Sequence, residues 1–428
     1  MRNLVYGFIL LLGILITAYI PSQSDFTLIL SGFILSFAGY YGIVRNGLFA
    51  NNWTYIFGFA FIIRFLLLFS FPNLSDDIYR FYWDAIVVSK GMSPYAFFPL
   101  EIKDIINDEI LFKQLNSPEY YSVYPPINQL LYFLAFVGTE SIQSFASVLK
   151  VEYLLFDITG LYFLRRLVNY FQLPMKAWSI YAFNPLVIIE GIGNLHIEIV
   201  MTALLIVALF YAFCFKDWLK TAFFFSAAVG VKLVPLIIGP FLFFRWGRIS
   251  FVKLLGWSMV FFMVFFGPII FGLDIDTFSQ SLDLYFRKFE FNASIYYIFR
   301  SVGYVFLGYN LIGYLGPLLS IIVLGATLYF ALKSVGANFF KWIEYLVITW
   351  TIYLLFSTIV HPWYLIPVVL LSSLSTIRFP LIWSFLIILS YGSYNSDPFQ
   401  ENLLLVTIEY GLLGLFIWRE WKLNEKSL

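Results

Sequence analysis

Apolar runs of about 17–25 residues, the length a helix needs to cross hydrocarbon, recur along this chain from residues 4–20 to residues 402–418. Inside a bilayer every backbone N–H and C=O must find a partner within the protein, so such runs dictate helices. Charged residues make up 12% of the 428 and hydrophobic ones 61%, which excludes an ordinary soluble domain. A net charge of +1 offers no footing for nucleic acid. Cys214 is the one cysteine, so no intrachain disulfide can form. Aromatics reach 22%, much of it explained by interfacial belts at span ends. The run 4–20 lacks a small-residue cleavage site and reads as a retained span.

The pattern predicts an all-α polytopic membrane protein with about 14 transmembrane helices. Two stretches decide parity. Residues 127–138 read as a helix lying on the membrane surface. Residues 219–244, with Lys232 and Pro235 at their middle, read as two short helices meeting at the outer face. Arg45, Arg165, Arg166, Lys216, Arg245, Lys333 and Arg378 then fall inside, and Lys232 is the one Lys or Arg in a short outer connection. Both termini are expected in the cytoplasm. Three regions follow: a transmembrane hairpin and inner loop at 1–53, a module at 54–377, and C-terminal helices with a short cytoplasmic tail at 378–428. Surface helices are expected in two long outer loops, about 72–145 and 273–311. No internal repeat is visible, so a transporter built from inverted repeats gains no support.

Polar residues gather on the outer side in this topology. Asp76, Asp77, Arg80 and Asp84 open the first loop in Ser75-Asp76-Asp77-Ile78-Tyr79-Arg80-Phe81-Tyr82-Trp83-Asp84. Asn194, His196 and Glu198 occupy one outer turn, Lys232 a break, and His361 opens His361-Pro362-Trp363-Tyr364. Carboxylates beside hydrocarbon are costly and mark functional sites. A hydroxyl attacking a sugar C1 needs a carboxylate to take its proton, a role open to Asp76 or Asp77. A departing lipid phosphate needs cations, which Lys232 with Arg287 or Lys288 can supply. Each element also has a bland reading: Asp76-Asp77 as a solvated loop start, Lys232 snorkelling from a helix end, His361 bonding a carbonyl freed by Pro362. Arg80 can bind phosphate or pair with Asp84. His196 and Glu198 lie two apart and do not share a helix face, so a metal site is not expected.

The first-loop segment, with Gly91-Met92-Ser93-Pro94-Tyr95 and Tyr124-Pro125-Pro126, resembles the first outer loop of GT-C fold glycosyltransferases. The nearest likeness is to bacterial polyprenyl-phosphate-sugar-dependent enzymes, commonly called mannosyltransferases; the GPI mannosyltransferases are more distant. Asn194-Leu195-His196-Ile197-Glu198, Val231-Lys232-Leu233-Val234-Pro235 and His361-Pro362-Trp363-Tyr364 are similar to further signatures of that family. The resemblance implies a GT-C fold and an inverting hexosyltransferase, with mannose the leading sugar and no required metal or other cofactor. By position the base falls on Asp76, with Asp77 second. Phosphate contacts are expected from Lys232, Arg80, Arg287 and Lys288, and substrate contacts from Asp84, Tyr124, Asn194, His196, Glu198, His361 and Trp363. Expected partners are a polyprenyl-phosphate-hexose donor, a small or lipid-linked hydroxyl acceptor and membrane lipids. A bacterial inner membrane with a periplasmic site also follows from the resemblance. Adjacent Asp76-Asp77 departs from the Asp-x-Asp of the GPI enzymes, and Glu198 stands where Asp is expected. A flippase for lipid-linked sugars is the main rival, and an assembly role gives no reason for Lys232.

Overall fold

Two glycines set the packing of the first helices in the computed structural model, which describes residues 2–46, 52–395 and 399–425. Helices α1 (Arg2–Tyr19) and α2 (Phe26–Asn46) form a hairpin. A Cβ on Gly13 would lie 2.3 Å from the Ser36 nitrogen, and one on Gly39 would lie 2.3 Å from that of Leu10. The two backbones therefore touch, as small residues allow in apolar surroundings. The inner loop predicted after this hairpin falls mostly on residues 47–51, outside the described residues, as does the tail end 426–428.

The chain is all-helical. Among the described residues no strand forms, and one isolated bridge joins Phe291 to Ile359. Helix α3 (Trp53–Leu66) leads into four short helices: α4 (Asp77–Ser89), α5 (Pro99–Ile106), α6 (Glu109–Lys113) and α7 (Pro126–Phe136). At 11 residues α7 is about 16 Å long, half of the roughly 30 Å of hydrocarbon. It packs against α4 and the long α8 (Ile142–Tyr170), in keeping with the non-spanning reading. Next come α9 (Met175–Ala182), α10 (Pro185–Ile188), a π-helical turn at Ile189–Gly193, and α11 (Glu198–Phe210). Helix α12 (Trp218–Val231) stops at Lys232, and α13 (Gly239–Arg245) resumes after a 3-10 turn, as the sequence predicts. The remainder is α14 (Arg248–Phe265), α15 (Gly267–Phe271), α16 (Ile275–Arg287), α17 (Ile295–Leu307), α18 (Ile312–Lys333), α19 (Phe339–Phe356), α20 (Ile366–Ser373), α21 (Phe379–Leu386) and α22 (Leu403–Glu425).

Among the described residues five segments are long and apolar enough to cross a membrane: α2, Glu198–Phe215, α14, α18 and α19. The expected count of about 14 spans is not matched by as many long helices. Proline is one physical reason. Pro185, Pro235, Pro362 and Pro380 each open a new short helical piece, because proline lacks the N–H and clashes with a preceding turn. Charge is another, since α8 carries Lys150, Glu152 and Asp157.

Two of those charges, Lys150 and Asp157, hold α8 to the α3 segment. Arg64 Nε donates to Asp157, and its Nη1 donates to Ala60 O at 3.1 Å and Ala182 O at 2.9 Å. Lys150 Nζ donates to Leu67 O at 3.0 Å and Ser70 O at 2.7 Å, satisfying carbonyls left at the end of α3. Both anchors lie just before the Asp76 loop. Arg64→Met strands the buried Asp157 carboxylate and is expected to destabilise the fold by about 3–5 kcal/mol. Unfolding curves in detergent, with Arg64→Met/Asp157→Leu recovering most of the loss, check this.

Candidate active site

The first site element is the start of α4. Ser75 Oγ accepts from the Asp77 backbone N–H at 3.3 Å, turning the chain into the helix. Asp76 sits at the N-cap position, but its side chain makes no capping hydrogen bond. Among the described residues no hydrogen bond engages its carboxylate. Asp77 lies in the first turn, where the helix dipole favours an anion; it accepts from Asn116 Nδ2 at 3.4 Å and faces His196 Nδ1 at 3.9 Å. Desolvation, and then the adjacent Asp77 charge, hold the Asp76 carboxyl above the usual carboxylate range.

The second element is the break after α12. Lys232 has an extended backbone (φ −155°, ψ 142°). The freed Val231 carbonyl accepts from Asn128 Nδ2 of α7 at 2.5 Å, which ties the break to the segment between α3 and α8. Lys232 Nζ pairs with Glu198 and lies 4.0 Å from the Tyr364 ring centroid.

The third is a stack of rings. His196 lies 3.4 Å from Trp363, Trp363 lies 4.4 Å from His361, and His361 lies 4.6 Å from Phe291, all near parallel. The bridge at Phe291 positions the far end: its N–H donates to Thr358 O at 3.0 Å, and its carbonyl accepts from the Val360 N–H at 2.9 Å. Burial, with His196 and Lys232 nearby, holds His361 well below the usual imidazole range, so this ring is neutral.

One cavity of about 610 Å³ collects these elements. Asp76, Asp77, Arg80, Tyr124, His196, Glu198, Lys232, His361 and Trp363 all line it. A second cavity of about 430 Å³ adjoins it, sharing Tyr124, Ile197, Lys232, Ile359 and Tyr364. Its other walls are mostly apolar and come from the 3-10 turn at Val234–Ile238, from α18 and from the end of α19; Leu236 and Leu324 on them are 51% and 58% exposed. It therefore opens onto the exposed apolar surface of these helices. Lys232 stands where the polar cavity meets the apolar one.

Several sequence-predicted contacts lie elsewhere. Asp84 is buried and accepts from Arg80 Nε (2.8 Å), Ser122 Oγ (2.5 Å) and Gln129 Nε2 (3.0 Å), so it braces the loop from beneath and does not line the cavity. Arg80 reaches the cavity wall but spends its donors on Asp84, Ser117 O and Tyr120 O; its Nη2 alone has no partner. Asn194 is buried and donates to Glu190 Oε2 at 3.1 Å. Arg287 is half exposed and pairs with Asp283 on α16, outside the cavity wall, as is Lys288. Trp363 lines the cavity with its ring engaged by two imidazoles, so its aromatic surface braces histidines before any sugar.

Sequence reasoning passed over Gln23, Glu290, Phe291 and Tyr394, which line the cavity, and Glu190 behind it. Gln23 comes from the hairpin turn, to which no chemistry was assigned. Glu190 carried a usable signal, a lone carboxylate within the apolar run 177–191. Among the described residues no group of three or more His, Cys, Asp or Glu is arranged to hold a metal.

A family model described as alpha-(1->6)-mannopyranosyltransferase, N-terminal domain, matches residues 14–248, more than half of the chain. That segment contains Asp76, Asp77, His196, Glu198 and Lys232. No curated protein matches the chain.

Proposed function

Because the chain belongs to the alpha-(1->6)-mannopyranosyltransferase family, a family of membrane glycosyltransferases, we propose that it moves a mannosyl group from a polyprenyl-phosphate donor to a sugar 6-hydroxyl. The observation that carries this reading is Lys232 at the junction of a polar and an apolar cavity. A lipid-phosphate sugar has this polarity: a chain for the apolar cavity, a phosphate at the junction, a hexose for the polar one. The volumes fit pockets for ligands of that size.

In the reaction the acceptor oxygen attacks C1, the C1–O bond to phosphate breaks, and Asp76 takes the hydroxyl proton. Polyprenyl phosphate leaves with one more negative charge, which Lys232 offsets as it exchanges Glu198 for the phosphate. Attack from the face opposite the leaving group inverts C1, so an α product requires a β-configured donor. In this reading Lys232 and the ionised Asp76 carboxylate carry the chemistry, and no metal is required. In this reading about 14 helical crossings, some built from two short pieces, leave both termini on one side, and the Lys and Arg pattern supports that side being the cytoplasm, with this cavity at the outer face of a bacterial inner membrane.

The test is direct. Purified protein in nanodiscs is incubated with polyprenyl-phosphate mannose, glucose or arabinose and a synthetic alkyl α-mannoside. Release of free polyprenyl phosphate and a dimannoside from the mannose donor alone is expected. Donor crossing a liposome bilayer without consumption would instead make the protein a flippase.

The base assignment has a pH consequence. Only the ionised carboxylate accepts a proton, so turnover falls as pH drops through the Asp76 value, which desolvation and Asp77 place above the ordinary range. Asp77→Asn removes the second of those causes and is expected to move this acid limb to lower pH. A limb that moves up, or stays, would take the base away from Asp76.

A further inference from the structure

Behind the cavity wall lies a carboxylate that the mechanism above does not use. Glu190 is fully buried in the π-helical turn Ile189–Gly193, a form that inserts one extra residue into a helix and recurs at functional sites. Its Oε1 accepts from Tyr391 Oη at 2.9 Å, and its Oε2 accepts from Asn194 Nδ2 at 3.1 Å. The same Oε2 lies 3.3 Å from His196 Nε2, which forms no hydrogen bond in this resting geometry. Catalytic contacts are often long before substrate arrives. The turn is held at a conformational cost: Leu195 has φ +61°, in the left-handed region that bulky side chains avoid. The His196 N–H donates to the Glu190 carbonyl at 3.1 Å, so the backbone of Glu190 holds this histidine while its carboxylate faces the ring. Trp363 covers the ring at 3.4 Å.

We propose that Glu190 is a positioning residue that fixes His196 as the Nε2–H tautomer, presenting the Nδ1 lone pair and the Asp77 carboxylate together as a subsite for the acceptor's hydroxyls. The Glu190 carboxylate at 3.3 Å from Nε2 is closer than Asp77 at 3.9 Å from Nδ1, which favours the proton on Nε2 and leaves Nδ1 as an acceptor. Nδ1 and Asp77 Oδ2, 3.9 Å apart, then face each other as two acceptors with no donor between them. O–H groups of a sugar satisfy both. The alternative tautomer would aim Nδ1–H at Asp77 and close the pair on itself. This inference rests on the mannosyl-transfer reading for the identity of the acceptor, and on geometry alone for the tautomer.

The chain has two histidines, so its imidazole ¹⁵N spectrum is readable in nanodiscs, with His361→Asn assigning the His196 signals. The wild type is expected to carry the proton on Nε2 of His196. In Glu190→Gln the amide donates toward Nε2 and the proton is expected on Nδ1. With polyprenyl-phosphate mannose and an alkyl α-mannoside as probes, Glu190→Gln is expected to raise the acceptor KM about tenfold or more, with the donor KM within about twofold. A wild-type Nδ1–H tautomer overturns the proposal even if the variant does not fold. An unchanged tautomer in Glu190→Gln, or equal rises in both KM values, overturns it as well. If wild type transfers no mannose at all, the function reading fails while the spectra still decide the tautomer.

Discussion

Asp76→Asn is expected to lower turnover of polyprenyl-phosphate mannose by about 10²–10⁴-fold, the usual worth of a positioned general base, with donor binding retained. The reason is the division of labour between two adjacent carboxylates. Asp77 is engaged by Asn116 and faces His196, whereas Asp76 makes no capping bond although it occupies the N-cap. A carboxylate committed to protein donors is a poor proton acceptor; one exposed to the cavity and raised by desolvation is a better one. Single-turnover rates and equilibrium binding of the donor, measured on Asp76→Asn and Asp77→Asn side by side, separate the two. Retained turnover in Asp76→Asn, with loss in Asp77→Asn, would move the base one residue along.

Lys232→Met is expected to reduce turnover by about 10²–10³-fold, the scale on which a charge aimed at a developing anion acts. It is also expected to lower stability. Glu198, 2% exposed, loses its only ion-pair partner among the described residues and remains as a buried, unpaired charge. The two effects separate in Lys232→Met/Glu198→Gln. Thermal unfolding should return towards wild type in the double variant, while turnover stays low. Recovery of turnover to within about tenfold of wild type would mean that Lys232 serves as a counter-ion to Glu198, and that another group meets the phosphate.

Much of this site is legible in the sequence because its residues sit where polar groups are expensive. Asp76, Lys232 and His361 stand at ends or breaks of apolar runs, and topology alone sends them to one side; the structure brings them into one cavity. The break at Lys232 is legible for a local reason, since Pro235 stops the second helix from running back into the first. What escapes is tertiary. Asp84 and Arg80 share the acidic loop with Asp76, yet four residues apart on α4 they pair with each other, and of the two only Arg80 reaches the cavity wall. Arg287 ends α16 and Lys288 follows it, both exposed and away from the cavity lining. Glu190 hides in a run that reads as one span because a π-helical turn has no sequence signature of its own. Helix lengths escape for a related reason, as an apolar run built from two short helices restarted at a proline reads as one. Gln23 reaches the cavity only because the glycine-packed hairpin sets its turn against Leu74, whose carbonyl accepts from Gln23 Nε2 at 3.3 Å.

The most direct measurement is a cryo-EM structure of Asp76→Asn with β-mannosyl polyprenyl phosphate bound. The expected result has the phosphate within hydrogen-bond distance of Lys232 Nζ, the isoprenoid chain between Leu236 and Leu324, and the mannose C1 facing residue 76. A phosphate found instead beside Arg287 and Lys288, or a chain lying outside the apolar cavity, would contradict the account.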